Sequence, residues 1–195
     1  DARMPGDTED DADEARRAAD DITEKDTIIA ISASGATAYP MTIAQIAKTR
    51  GARIICIANN ADAPMFALAD VAICLPTPPE VIAGSTRMGA GTTQKAALNM
   101  MSTLMGVRLG NNHDGMMVNV VAENDKLRRR SAKMVQRIAG VDAQRASDSL
   151  AQSGGAVKPA VLLAAGAESL CEAQSILNKT NGNLRAALAR LAKQN

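Results

Sequence analysis

Apolar and polar positions along the chain change texture twice. Three short runs rich in β-branched residues, Thr27 to Ile31, Arg53 to Ala58 and Val71 to Leu75, are separated by stretches with helical periodicity. A helix is expected from about Asp10 to Asp21, a second from about Met41 to Thr49 that stops at Gly51, and a short third near Pro64 to Ala69. Pro76, Pro78 and Pro79 end the last run. This strand and helix alternation predicts a parallel sheet with right-handed crossovers. Ala90 to Leu109 then reads as a long helix, apolar around most of its circumference. Such a helix is buried, often against a second subunit.

From about Asp142 only short helical units remain, and they repeat. Ala146, Leu150, Gly155, Val157, Ala160 and Val161 recur twenty-seven residues later as Ala173, Leu177, Gly182, Leu184, Ala187 and Leu188. Two copies of a helix, glycine, helix unit can bury their apolar faces on each other, which predicts a small helical appendage and not a solenoid. The expected partition is therefore an α/β domain over residues 1–139 and a helical region over 140–195.

Composition adds constraints. Phe66 and Tyr39 are the only aromatic residues, so Ala, Ile, Leu, Val and ten methionines must fill the interior. The net charge of +1 hides an asymmetry: residues 1–26 carry eleven acidic and four basic side chains, whereas Lys126 to Arg137 is strongly basic. The overall balance argues against a dedicated nucleic-acid binder, and the basic stretch reads as the solvated face of a helix. Cys56, Cys74 and Cys171 are odd in number and not spaced as metal ligands; Cys56 and Cys74 fall in strand-like runs and read as buried small hydrophobes. With no apolar run near twenty residues and no secretory signal, a reducing cytoplasm and no membrane are expected. The lone His113, in Asn111-Asn-His-Asp114, lacks a metal-binding context and is expected in a surface or ligand-adjacent loop.

Two segments carry candidate chemistry. In Thr27 to Pro40 an apolar run stops at Ser32-Ala-Ser-Gly35, followed by Thr37, and a helical pattern begins near Pro40. Ligands of open parallel sheets bind beyond the carboxyl ends of the strands, where Ser32, Ser34, Gly35 and Thr37 fall. In Glu80 to Lys95, Ser85, Thr86 and Arg87 lie among Gly84, Gly89 and Gly91 just before the long helix. A helix start with free N–H groups, hydroxyl donors and glycines that admit close approach suits a phosphate. Neither segment is a GxxxxGK[ST] loop or a GxGxxG fingerprint, so a small phosphorylated molecule fits better than a nucleoside triphosphate or NAD.

Together these segments resemble the sugar isomerase (SIS) fold and, within it, the N-acetylmuramic acid 6-phosphate etherases. The resemblance rests on Ser32-Ala-Ser-Gly35 with Thr37 and Pro40, on Glu80-Val-Ile-Ala-Gly-Ser-Thr-Arg-Met88, on Ala90-Gly-Thr92 with Gln94-Lys95, and on Leu98-Asn-Met-Met-Ser-Thr103. It continues through Gly115-Met-Met-Val118, Glu123-Asn-Asp-Lys-Leu127 and Gly182-Asn-Leu-Arg185. It implies a three-layer SIS-type sheet flanked by helices over 1–139 and a helical C-terminal region with a structural or interface role. It also implies that the chain matches the C-terminal two-thirds of an etherase, whose first strand, first phosphate loop and first glutamate would precede Asp1.

The activity so implied is cleavage of the lactyl ether of N-acetylmuramic acid 6-phosphate to N-acetylglucosamine 6-phosphate and D-lactate, in cell-wall amino sugar recycling, with no metal or organic cofactor. Such an elimination and hydration needs a base and an acid with tuned pKa values. The family uses two glutamates, and the one with a counterpart here is Glu9, in Gly6-Asp-Thr-Glu-Asp10. Without the resemblance, that segment reads as a helix start capped by Asp7 or Thr8. Ser32, Ser34, Gly35, Thr37, Glu80, Ser85, Thr86 and Arg87 are the expected substrate-binding residues, with Glu80 suited to orient a sugar hydroxyl. A homodimer with a shared active site, built on the Ala90 to Leu109 helix, is implied. Two departures from the family, Ala36 for an arginine and Gly89 for a lysine, remove cations near the sugar. They keep two alternatives open: a non-catalytic phosphosugar-binding regulator, and a SIS-type sugar-phosphate isomerase.

Overall fold

The computed structural model describes residues 7–193, which fall into two compact units, Asp1–Met100 and Met101–Asn195. In the first unit, helix α1 (Ala12–Ala18) precedes strand β1 (Thr27–Ser32), helix α2 (Ala38–Thr49), strand β2 (Arg53–Ala58), a 3₁₀ turn (Pro64–Leu68) and strand β3 (Val71–Cys74). The strands form one parallel sheet in the order β1-β2-β3, with Thr27 opposite Arg53 and Ile55 opposite Val71. This is the α/β sheet flanked by helices that the apolar runs predict.

Residue size sets the packing of this unit. The pleat sends Ala30 and Ser32 of β1 and Ile54, Cys56 and Ala58 of β2 to one face, where all five are buried. Ala44 and Ala47 of α2 are fully buried in the same core, and such small residues let helix and sheet approach closely. The opposite face carries Ile29, Ile31, Ile55, Ile57, Val71 and Ile73; Ile57 is buried, but Ile29 and Val71 are 42% and 47% exposed.

Several local signals act one step from where the sequence alone places them. Helix α2 starts at Ala38, so Pro40 sits inside its first turn, where the missing N–H would have had no intrahelical partner. The N-cap of α1 is Asp11, which accepts from the N–H groups of Asp13 and Glu14, and neither Asp7 nor Thr8 takes that role. Gly6, the first residue of the Gly6 to Asp10 motif, lies outside the described residues. Cys56 is buried as expected, and burial raises its thiol pKa, whereas Cys74 is exposed at the end of the edge strand β3.

Helix α3 (Gly89–Arg108) contains the division between the units. It is as long as its pattern predicts, yet only Ala90 and Ala97 are buried along it. Met100, Leu104, Met105 and Val107, with Leu109 just beyond, are all more than half exposed. The expectation of a buried helix therefore fails within the chain itself.

The second unit continues with a hairpin of β4 (Asn112–His113) and β5 (Met116–Met117), then α4 (Asp125–Ala139), α5 (Ala143–Gln152), α6 (Val157–Ala164), α7 (Leu170–Lys179) and α8 (Leu184–Leu191). The hairpin turns at Asp114 and Gly115, both at positive φ, as a two-residue Asp-Gly turn requires. His113 is buried in β4 and is not in a surface loop; its Nε2 lies 3.6 Å from Asp114 Oδ2, and its Nδ1 has no hydrogen-bond partner. Both copies of the repeat contribute to one core, in which Ala146, Leu150, Val157, Ala160, Val161, Ala173, Leu177, Leu184 and Ala187 are buried. Helix α4 packs on α5 and α6. The compact division consequently falls inside α3, well before the boundary near residue 139 that the change of texture suggests.

Candidate functional site

Beyond the carboxyl end of β1 the chain turns through Ser32 to Thr37 and enters α2. Gly35 makes that turn possible: its φ is +72°, and a Cβ there would sit 2.3 Å from the Ala63 Cβ. Ser32 organises the loop. Its buried Oγ accepts the Gly35 N–H at 3.0 Å and shares hydrogen bonds with Thr37 Oγ1 at 2.8 Å and Ser34 Oγ at 3.3 Å. Because Thr37 Oγ1 is engaged with Ser32, it does not cap α2, and the first turn of α2 contains no acidic residue. The loop hydroxyls and the start of a twelve-residue helix thus lie together without a carboxylate cap, an arrangement suited to an oxyanion.

A cavity of about 480 Å³ opens over this loop. Ser32, Ser34 and Thr37 line it with Thr8, Glu9, Tyr39, Thr86 and Gln94. Glu9 comes from the 3₁₀ turn Asp7–Asp10 ahead of α1, is solvent-exposed, and is the one carboxylate among the described residues of the lining. A second network holds the far wall. Asn59, just past β2, donates to the Leu75 carbonyl and to Thr93 Oγ1, both at 2.9 Å, and accepts from Gln94 Nε2 at 2.7 Å. The Asn59 N–H meanwhile reaches the Ala33 carbonyl at 3.0 Å. Asn59 therefore ties the end of β1 through its backbone N–H, and the end of β3 and the start of α3 through its side-chain amide.

The structure gathers five of the nine sequence candidates, Glu9, Ser32, Ser34, Thr37 and Thr86, around this cavity. Gly35 lies beneath it as the buried hinge of the loop. Glu80, Ser85 and Arg87 are not in the lining. Glu80 Oε1 accepts the Ala90 N–H at 3.2 Å, so its carboxylate occupies the α3 N-terminus that the sequence offers to a phosphate. Gly91 N–H is likewise taken, by the Thr86 carbonyl at 2.8 Å. Ser85 Oγ faces the Arg87 N–H at 3.5 Å, within its own turn. Sequence reasoning misses Thr8, Tyr39 and Gln94 as lining residues. Tyr39 could be found from its place in the first turn after the loop, but the Asn59 and Gln94 pairing joins residues thirty-five positions apart and has no local signature.

Comparison with known proteins fits this arrangement. Residues 8–104 match the SIS domain. An N-acetylmuramic acid 6-phosphate etherase from Streptomyces avermitilis is 40% identical over 168 residues, covering 86% of this chain and 54% of that protein. The etherase from Deinococcus radiodurans is 43% identical over 142 residues, 73% of this chain and 47% of its own length, and that from Mycolicibacterium smegmatis is 39% identical over 181 residues, 90% and 61%. This chain is a SIS-domain member of that etherase family. It spans about half the length of the curated relatives it matches. The matched SIS domain contains every described residue of the cavity lining, from Thr8 to Gln94. Among the described residues no cluster of His, Cys, Asp and Glu could hold a metal ion, and no helix is long and apolar enough to cross a membrane.

Proposed function

We propose that this chain takes part in cleaving the D-lactyl ether of N-acetylmuramic acid 6-phosphate. The observation that carries the reading is the single cavity in which the Ser32 to Thr37 loop, Thr86 and Glu9 meet. The 6-phosphate would lie on the loop hydroxyls of Ser34 and Thr37 and on the free N–H groups at the start of α2, with Thr86 on the same anion or a sugar hydroxyl. Glu9 would handle a proton at the other end of the sugar. In the open-chain sugar the C2 proton is acidic beside the aldehyde. A carboxylate removes it, the C3–O bond breaks with its electron pair leaving on lactate, an acid protonates that oxygen, and water adds across the C2–C3 double bond. Two proton-handling groups are needed, and Glu9 would be one of them.

A homodimer on α3 belongs to the same reading. The exposed stripe Met100, Leu104 and Val107 follows the three- and four-residue spacing of a helix seam and supports this. A cytoplasmic location, as expected of an enzyme of amino sugar recycling, also belongs to it.

One observation favours a second reading, a phosphosugar-binding regulator without turnover: among the described residues lining the cavity there is no Lys or Arg. Release of D-lactate from N-acetylmuramic acid 6-phosphate by the full-length protein separates the two. Lactate release that falls at least about a hundredfold in Glu9→Gln supports the etherase, in line with the usual contribution of general acid or base catalysis. Calorimetric binding of the sugar with no lactate would establish the regulator instead.

A further inference from the structure

Helix α4 carries a second candidate anion site, within residues 116–137 and separate from the phosphosugar cavity. Lys126, Arg129, Arg130, Lys133 and Arg137 recur at helical spacing along one side, Ser131 and Val135 are buried on the other, and the buried Met134 lies at the edge between them. From Lys126 to Arg137 the row runs about 16 Å along the axis at the rise of an α-helix. A groove of about 640 Å³ follows this row, with Met116 and Met134 among its lining. That is the capacity of a small-molecule site.

A merely solvated helix face interleaves opposite charges. This one does not: no acidic residue occurs between Lys126 and Gly140, and Lys126 with Arg130, Arg129 with Lys133 and Lys133 with Arg137 are like charges four positions apart. Such pairs repel and weaken an isolated helix. The one carboxylate in the lining, Asp125, is paired with Arg128 at 2.9 Å, outside the groove. Among the described residues none of the five cations holds an ion pair or hydrogen bond; Arg137 adds only a long-range field at Asp114. The wider surroundings have the same sign. Residues 101–195 carry thirteen basic and seven acidic side chains, against nine and fourteen in residues 1–100.

We infer that the α4 groove binds an organic polyphosphate, its phosphates along the row of cations and its ring against Met116 and Met134. Three of the five cations are arginines, whose planar forks engage phosphate oxygens in pairs. A chain of phosphates supplies anionic charge as dense as the row of cations. The methionines give a polarizable, apolar surface for a ring, which an inorganic anion would leave unused. A concave groove of this volume favours such a molecule over an extended acidic protein segment.

Calorimetry at low salt tests the inference, with ATP, inorganic tripolyphosphate and poly-L-glutamate as probes. ATP is expected to bind more tightly than tripolyphosphate. The exposed triple variant Arg130→Ala, Lys133→Ala, Arg137→Ala should weaken ATP at least about tenfold, as expected when several charge-assisted hydrogen bonds are lost. Ser34→Ala should leave ATP binding unchanged, which separates this groove from the phosphosugar cavity. Undiminished ATP affinity in the triple variant, or loss of it in Ser34→Ala, would overturn the assignment. Tripolyphosphate binding as tightly as ATP would remove the ring from the proposal, and poly-L-glutamate displacing ATP would make the groove a docking face for acidic protein. A circular dichroism spectrum matching the wild type confirms that the triple variant is folded.

Discussion

The two units meet anions in opposite ways. Residues 101–195 gather both copies of the repeat and α4 into one core and leave their cations outside. Apolar surface stays open in both units, at Ile29 and Val71 on the sheet of the first and at Leu104, Met105, Val107 and Leu109 in the second. The cavity of residues 1–100 is the inverse of the α4 groove. Among the described residues, the cavity offers hydroxyls and a helix start with no cation, whereas the groove offers cations with no hydroxyl. A phosphate held by N–H and hydroxyl groups is positioned by directional bonds, as a reacting sugar needs; a phosphate held by mobile lysines and arginines is held mainly by charge. The contrast teaches that the net charge of +1 sums two regions of opposite character.

Substitutions can break this comparison, and the largest effect is expected at Gly35. Gly35→Val must adopt positive φ and push its Cβ against Ala63, costing roughly 3 kcal/mol or more from the left-handed backbone and overpacking together. Chemical denaturation should show the loss in the first unit, with phosphosugar binding lost alongside. Next is Leu184→Ala, at a fully packed position of the helical core, expected to cost about 2–5 kcal/mol. If the units are distinct in function, its phosphosugar affinity below the unfolding transition should remain that of the wild type.

Ser32→Ala removes the hub of the loop and leaves the Gly35 N–H without its acceptor, for about 1–3 kcal/mol. Because the effect is on the loop, sugar affinity should fall more than stability does.

The smallest effect is that of acid. The Arg185 hydrogen bond, and then its charge, hold the Asp114 carboxyl below its ordinary value; the Thr23 backbone N–H, then the Thr23 hydroxyl, do the same for Asp26. A depressed folded pKa adds stability that is present above the unfolded value of about 3.8 and is lost as pH falls through the lower folded value. Thermal melts should therefore drop below about pH 4, with a shallower drop in Asp114→Asn. Equal slopes would show that the Asp114 and Arg185 pair contributes nothing, as is common for exposed pairs.

Much of this was legible in the chain, and the failures have physical causes. Strand β2 matches its apolar run from Arg53 to Ala58 because β-branched residues and a following Asn59-Asn60 turn agree. The hairpin at Asn112 to Met117 was missed although Asp114-Gly115 is a strong turn signal, because its strands are two residues each and carry no alternation to read. The place of Ser32, Ser34 and Thr37 beyond the end of β1 is legible because strand, loop and helix are contiguous. The contact of Glu80 with the Ala90 N–H is not legible, because an acidic side chain ten residues ahead of a helix N–H gives no local sign that it will reach it. The groove on α4 was invisible for a related reason: its cations are local, but the methionine from β5 that shares its lining is not.

The central claim is that the cavity after β1 takes a phosphosugar. Titrating N-acetylmuramic acid 6-phosphate into the nitrogen-labelled chain and following backbone amide resonances tests it most directly. The account predicts saturable shifts at Ser34, Gly35, Thr37, Ala38 and Thr86, abolished by Ser34→Ala with Thr37→Val. Shifts absent from that loop, or confined to residues 101–195, would contradict it.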